Sequence, residues 1–450
     1  MFFLNRFPAA KNSLTRIYSV SLYRNSGYLI LDRVMVAATG FFYWILAARI
    51  YSLKELGLSS AAISSMSLLS ILSTLGLTYG LIRFLPSAKD NANVLINTCL
   101  TIGILASISF SIVFLIGLKI WFPSLASLSH GLLNQFTFVI YTVSYTLMNF
   151  TTQIFIAKRR SSFSLSKDLI MALGRFIPLL LMGTITPLNY GIFHSWGIAS
   201  TVALLITVIF FLPRVQPGYR FSPVLKKKAF LHILGFSQAN YFSDIFWSAP
   251  SYILPLLLVN LLGAEQNAFF YICLTIATIL FMIPGSVSLS LLAEGFHDES
   301  QTRLQVKYSI KMSMSLIFLG IITILLLGGK LLSVYGRNYS EQGASVLALL
   351  AVSAVPMTVN YIYCSIQRIN LNMLRVAGLS AFILAATLTF TYWLAPRFGV
   401  SGAGAAFLLG QTIPGLFALT GIRPALGRQL SANDKNSSIK KTLISDKKDG

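Results

Sequence analysis

Four charged side chains stand where an apolar sequence ought to exclude them. Asp32 and Arg33 fall just inside the first long apolar run, GYLILDRVMVAATGFFYWILAARIYSLKELG (27–57), Arg175 lies in the middle of LIMALGRFIPLLL, and Asp244 in ANYFSDIFWSAP. A charge in mid-bilayer costs roughly 2.5–3.5 kcal/mol on insertion scales, so each needs water, a ligand or an opposite charge. A carboxylate can take up H⁺ or Na⁺, which makes Asp32 and Asp244 candidates for ion coupling. A guanidinium stays charged and binds phosphate oxygens in pairs. Arg33 and Arg175, with Arg49 and Arg83 at the ends of the first two runs, are therefore candidates for holding an anionic head group. The plainer readings stand beside these: an interfacial Asp32–Arg33 pair, a structural ion pair at Arg175 or Asp244, and interface anchors at Arg49 and Arg83.

Polar and aromatic residues inside the runs add a second set. Asn149, Gln153, Tyr241, Trp247, Asn360 and Gln367 could meet sugar hydroxyls by hydrogen bonds and stacking, and they serve equally well as glue between helices. Pro250 and Pro255 each remove a backbone hydrogen bond beside Asp244, which suits a hinge or an ordinary packing bend. Cys99, Cys273 and Cys364 have no metal-ligand or disulfide spacing, and no metal or other cofactor is expected. No catalytic residues stand out: there is no DxD, HExxH or glycine-rich phosphate loop, so no enzyme is expected.

These residues must be held by membrane-spanning helices. The chain has 450 residues, 55% hydrophobic and 11% charged, with a mean hydropathy of +0.73, which specifies an all-α polytopic membrane protein. Twelve apolar runs fall near 28–48, 58–82, 94–118, 132–155, 167–186, 191–212, 237–259, 267–292, 309–328, 342–366, 373–394 and 400–421. Placing the amino end inside leaves only Arg49, Lys54, Lys119, Lys330, Arg337 and Arg397 of the 35 Lys and Arg in outer loops. That asymmetry follows the positive-inside rule, explains the net charge of +22 without nucleic acid, and puts both termini in the cytoplasm. The loops are too short for a soluble catalytic domain.

The expected organisation is a cytoplasmic segment (1–26), a first lobe of six spans (27–212), a basic linker (213–236), a second lobe of six spans (237–421) and a disordered cytoplasmic tail (422–450). The amino end has no cleavable leader and is expected to stay attached as an anchor. An internal repeat at an offset of about 208 residues supports two lobes: TPLNYG ending at Gly191 pairs with LAPRFG ending at Gly399, Asn149-Phe150 with Asn360-Tyr361, and Asp32 with Asp244. Six spans per half enter from the same side, so the lobes would be related by a pseudo-two-fold axis along the membrane normal.

The segments AARIYSLKELG (47–57), GLIRFLPSAKD (80–90), NLLGAEQNAFFYI (260–272) with Pro284, and APRFGVSGAGAA (395–406) together resemble the polysaccharide-transporter branch of the multidrug/oligosaccharidyl-lipid/polysaccharide (MOP) exporter superfamily, which holds the O-antigen-type oligosaccharide flippases. The resemblance spans most of the chain, although NAFFY stands where that branch commonly has a Gly-Tyr pair. It implies two bundles in a V, opening alternately to the two faces, with a cationic cavity for the pyrophosphate-sugar head of a polyprenyl lipid. The expected function is thus a flippase carrying a lipid-linked oligosaccharide to the outer leaflet of a prokaryotic cytoplasmic membrane. Its partners would be that substrate, membrane lipids, and a glycan polymerase or glycosyltransferases, with the chain itself a monomer. Two alternatives remain: an ion-coupled multidrug-type exporter of the same superfamily, and a membrane enzyme of glycan assembly.

Overall fold

The computed structural model describes residues 21–88, 91–184, 190–295 and 302–445, with side chains given only as far as Gly421. Most of the expected amino-terminal segment and the side chains of the expected tail therefore lie outside the described residues. Among the described residues there is no strand. Nine helices among the described residues are long and apolar enough to cross a membrane, as a multi-pass membrane protein requires, because only internal backbone hydrogen bonding is tolerated in hydrocarbon. Large apolar side chains such as Ile116, Ile120 and Leu326 are 74–80% exposed, a surface that lipid can cover.

The chain forms two compact units, one reaching Ile272 together with Val334–Gly336, the other made of Cys273–Ser333 and the residues from Arg337 onward. In the first unit the helices are α1 (Ser21–Ile50), α2 (Leu53–Ser73), α3 (Leu77–Phe84), α4 (Ala92–Trp121), α5 (Leu132–Ala157), α6 (Ser161–Gly174), α7 (Phe176–Thr184), α8 (Gly191–Ile206) and α9 (Lys227–Leu262). Helix α10 (Ala264–Gly295) begins in this unit and runs into the second.

Helix α2 is central because its side chains are small. Ser59, Ser60, Ala61, Ala62, Ser64, Ser65, Ser67, Ser70 and Ser73 are all buried, and 78% of its apolar window is enclosed, against 11% for α1. Small residues let backbones approach closely in membrane bundles. Three of the hydroxyls return to the helix's own carbonyls, Ser60 to Gly57 O at 3.0 Å, Ser65 to Ala61 O at 2.9 Å and Ser73 to Leu69 O at 2.6 Å, which satisfies those donors, whereas Ser59 Oγ is buried without a partner. Helices α9, α5, α4 and α8 pack around it. At Gly57 the approach is closest, and a Cβ there would overlap the carbonyl of Ala264. Ser52 caps α2 by accepting from Glu55 N at 3.2 Å, the S-x-x-E signature of a helix start.

Two runs read as straight spans are broken. The second breaks after α2, where Leu75 (φ 47°) and Gly76 (φ 75°) turn the chain into α3. The fifth starts earlier than expected, at Ser161, and breaks between α6 and α7 at Arg175. Part of the expected linker is docked: Tyr219 donates to Asn97 Oδ1 at 2.7 Å and Asn97 Nδ2 to Arg220 O at 3.0 Å.

The second unit holds the rest of α10, then α11 (Thr302–Ser333), α12 (Arg337–Ile369) and α13 (Met373–Ser445), the last broken at Gly399 (φ 60°, ψ −146°). Leu291, Val306, Ile362 and Ile366 form part of its core, and α12 packs along both α11 and α13.

Candidate functional site

Two groups of side chains meet inside the first unit. The first is ionic. Lys167, on α6, is 1% exposed and its Nζ lies 2.6 Å from Asp168 Oδ1, while Ser164 Oγ donates to Asp168 Oδ2 at 3.4 Å. Helix α6 packs against α1, which brings Asp32 beside Asp168 and within electrostatic reach of Lys167 and Arg33. Asp32 Oδ1 is buried without a hydrogen-bond partner. Two carboxylates thus share one enclosed ammonium, and the surplus negative charge suits a proton or a small cation. Lys167, at the edge of the fifth apolar run, is a buried helical residue, because SSFSLS ahead of it already belongs to the helix.

The second group surrounds Arg175. Its Cζ stands 4.4 Å from the ring centroids of both Tyr43 and Trp196, and the residue is 2% exposed. Cation–π contacts of this kind contribute about 2 kcal/mol when desolvated. Tyr43 is fixed in turn by its hydroxyl, which lies 2.6 Å from Ser195 Oγ and donates to Ile192 O at 3.2 Å. Trp44 meets Tyr271 edge-on at 4.9 Å. The electrostatic neighbours of Arg175 are Tyr43, Tyr145 and Tyr271, with no carboxylate among them. Tyr145 stands between the two groups, close enough to feel both Asp168 and Arg175.

The other candidates are placed differently. Arg33 and Arg83 are exposed, and Arg49 directs Nε and Nη2 onto Val334 O at 2.9 and 2.7 Å, so of the four arginines Arg175 alone is interior. Asp244, on α9, accepts from the Tyr79 hydroxyl of α3, and Tyr241 donates to Leu72 O at 2.6 Å. Asn149 Nδ2 donates to Ser70 Oγ at 2.9 Å, while Gln153 and Trp247 are half-buried. Asn360 and Gln367 belong to the second unit, where Asn360 Nδ2 reaches Gln411 O and Oε1 at 3.0 Å and Gln367 Oε1 accepts from Asn372 Nδ2 at 3.3 Å. Pro250 and Pro255 lie within the unbroken α9.

At its far end α9 is tied down by Asn260, which accepts from Ser124 N at 3.1 Å and donates to Trp121 O at 3.0 Å. Asn267 at the start of α10 donates to Gly57 O at 2.9 Å and Ser60 Oγ at 3.1 Å. Nearby, burial pushes the Tyr190 phenol up, and its hydroxyl lies 2.6 Å from Ser127 Oγ.

Among solved structures the chain resembles an inward-facing multidrug resistance MATE family transporter of the MOP superfamily, at 13% identity and a TM-score of 0.68, covering 87% of this chain and 96% of that one. It also resembles the lipid II flippase MurJ in an inward closed conformation, at 11% identity and a TM-score of 0.69 over 89% and 90%. A third is a MOP superfamily transporter from Pyrococcus furiosus, at 11% identity and a TM-score of 0.61 over 91% and 96%. These likenesses establish the fold as that of the MOP transporters. A comparison with curated proteins finds no significant match. The polysaccharide biosynthesis protein family matches residues 22–291, more than half of the sequence, and the chain belongs to that family.

Proposed function

We propose that the chain is a flippase moving a polyprenyl-(pyro)phosphate-linked oligosaccharide from the cytoplasmic to the outer leaflet of a prokaryotic cytoplasmic membrane by alternating access. In this reading twelve spans form two six-helix lobes related by a pseudo-two-fold axis, both termini are cytoplasmic, and no catalytic step occurs. The observation that carries it is Arg175, a buried guanidinium with no carboxylate neighbour in a member of the polysaccharide biosynthesis family. Such a cation favours an anionic cargo over a cationic one. Membership of a glycan-assembly family and the MurJ-like fold both support a lipid-linked glycan. The polar residues lining α5 and α9 would meet the sugars, and Asp244, with the Asp32–Asp168–Lys167 cluster as the other candidate, would take up a coupling H⁺ or Na⁺.

The acidic pair Asp32 and Asp168 also favours a second reading, an ion-coupled exporter of small molecules. Reconstitution of the purified protein in vesicles carrying a labelled lipid-linked oligosaccharide separates the two. Label becoming accessible on the second leaflet at a rate dependent on the protein supports the flippase. No protein-dependent translocation of the lipid, with export of small cationic dyes from the same vesicles, selects the exporter.

A further inference from the structure

At Arg175 and Trp196 three buried N–H donors are left without acceptors. Nε and Nη2 of Arg175 and Nε1 of Trp196 are each buried with no hydrogen-bond partner. A buried donor left unmade costs about 1–3 kcal/mol, so several in one place mark a site completed by something else. The Tyr43 hydroxyl is engaged with Ser195 and Ile192 O and that of Tyr145 with Ser67, and among the described residues no carboxylate is an electrostatic neighbour of Arg175. A methyl-sized space also opens beside Nη2. A Cβ built on Gly40 would find Nη2 at 3.7 Å and no other heavy atom within 4 Å beyond its own helix. The Tyr43 and Trp196 rings, 78° apart, each lie 4.4 Å from the guanidinium carbon and fix its position. The Nε–Nη2 edge of a guanidinium presents parallel N–H bonds that match the coplanar oxygens of a carboxylate or two oxygens of a phosphate, and the unpartnered indole N–H belongs to a ring in contact with the same guanidinium.

We infer that the edge of Arg175, with Trp196 Nε1 and the space beside Gly40, is an oxyanion-binding site inside the first unit. The ligand chemistry is an acceptor-only phosphate or carboxylate group, supplied either by the (di)phosphate of a lipid carrier or by an acidic sugar. The choice of source rests on the transport reading above; the site itself does not.

The test titrates the purified full chain with inorganic diphosphate and, separately, with glucuronate, by calorimetry. Saturable binding of diphosphate alone assigns the carrier phosphate, and binding of glucuronate alone assigns an acidic sugar. Either upholds the site if Arg175→Gln abolishes binding, Arg175→Lys weakens it at least about tenfold, and Trp196→Phe, which keeps the ring and deletes the N–H, weakens it by about tenfold, the equivalent of one such bond. Gly40→Leu, which fills the space without touching charge, should also block binding. If Arg175→Gln fails to fold, Trp196→Phe and Gly40→Leu carry the test alone. The inference is overturned if neither anion binds the unaltered protein, or if binding survives unchanged in Trp196→Phe and Gly40→Leu. Lipid translocation in vesicles from the same preparation separates the two ideas. Anion binding without translocation removes the flippase and leaves the site; translocation without anion binding does the reverse.

Discussion

Lys167 Nζ lies 2.6 Å from Asp168 Oδ1, an ion pair between neighbours in sequence with the lysine almost wholly enclosed. Adjacent residues on a helix point about 100° apart, so the contact requires the long lysine side chain to fold back across the helix surface. Asp32 on α1 stands beside Asp168 and within electrostatic reach of the lysine, a second carboxylate from another helix. The lysine therefore pairs within its own helix and also acts on a charge from α1.

Removing that ammonium should be costly. Lys167→Met leaves Asp168 and Asp32 facing one another, and breaking a buried pair from one side costs about 3–5 kcal/mol. The double variant Lys167→Met/Asp168→Leu should recover much of the loss, because the uncompensated charge goes with its partner. Thermal unfolding of the purified protein in one detergent checks this; a double variant less stable than the sum of the single ones would show that the lysine serves a different partner.

Asp244 receives the hydroxyl of Tyr79, joining α9 to the short α3 that follows the break at Leu75–Gly76. Tyr79→Phe deletes the donor and should cost about 1–3 kcal/mol in stability, since a hydrogen bond to a charged acceptor is lost. Asp244→Asn keeps an acceptor oxygen and removes the charge. It should leave stability near that of the parent while abolishing any dependence of transport on an imposed H⁺ or Na⁺ gradient. Gradient dependence that persists in Asp244→Asn with normal abundance would move coupling away from α9 and leave the Asp32–Asp168 cluster to account for it.

Gly57 marks the tightest helix approach in the first unit, with the Ala264 carbonyl in the place a Cβ would take. Backbone cannot rotate aside as a side chain can, so Gly57→Ala should force α2 and the start of α10 apart, costing about 1–3 kcal/mol. The Asn267 bonds to Gly57 O and Ser60 Oγ should weaken together with it. Asn267→Ala in the Gly57→Ala background should then cost less than in the parent. Equal costs in both backgrounds, measured by thermal unfolding, would mean that the helices absorb the methyl without moving.

What was legible in the sequence follows from how each signal is made. Runs of about twenty apolar residues announce spans because the bilayer fixes their length. Asp32, Arg175 and Asp244 stood out because a charge inside such a run is costly. The breaks at Leu75–Gly76 and at Arg175 were hidden, since the apolar run continues straight through both. Lys167 counted toward the cytoplasmic positive charge because it stands at the edge of an apolar run, and Asp168 beside it drew no notice for the same reason. Tyr43, Tyr145 and Trp196 were missed for a different reason. Aromatic residues are common in spans, and which of them surrounds a cation depends on helix rotation, which no spacing in one chain reveals.

Two helices end in the same backbone form. Helix α5 ends with Arg159 at φ 55° and α12 with Leu371 at φ 56°. In the first, Arg160 N reaches Phe155 O at 2.8 Å and Lys158 N reaches Ile154 O at 3.0 Å; in the second, Asn372 N reaches Gln367 O at 2.8 Å and Asn370 N reaches Ile366 O at 3.0 Å. The six-to-one bond around a left-handed residue is a Schellman ending, a position that favours glycine because a Cβ is strained there. Neither helix uses one. Arg159→Gly and Leu371→Gly should each relieve that strain, offset in part by the greater freedom of glycine in the unfolded chain, for a net gain of about 0.5–1 kcal/mol. Leu371→Val should lose stability, because a β-branched residue tolerates positive φ poorly. Thermal unfolding of the three variants decides it: a loss on Leu371→Gly would mean that the leucine side chain, 74% exposed here, contributes more in the bilayer than its backbone strain costs.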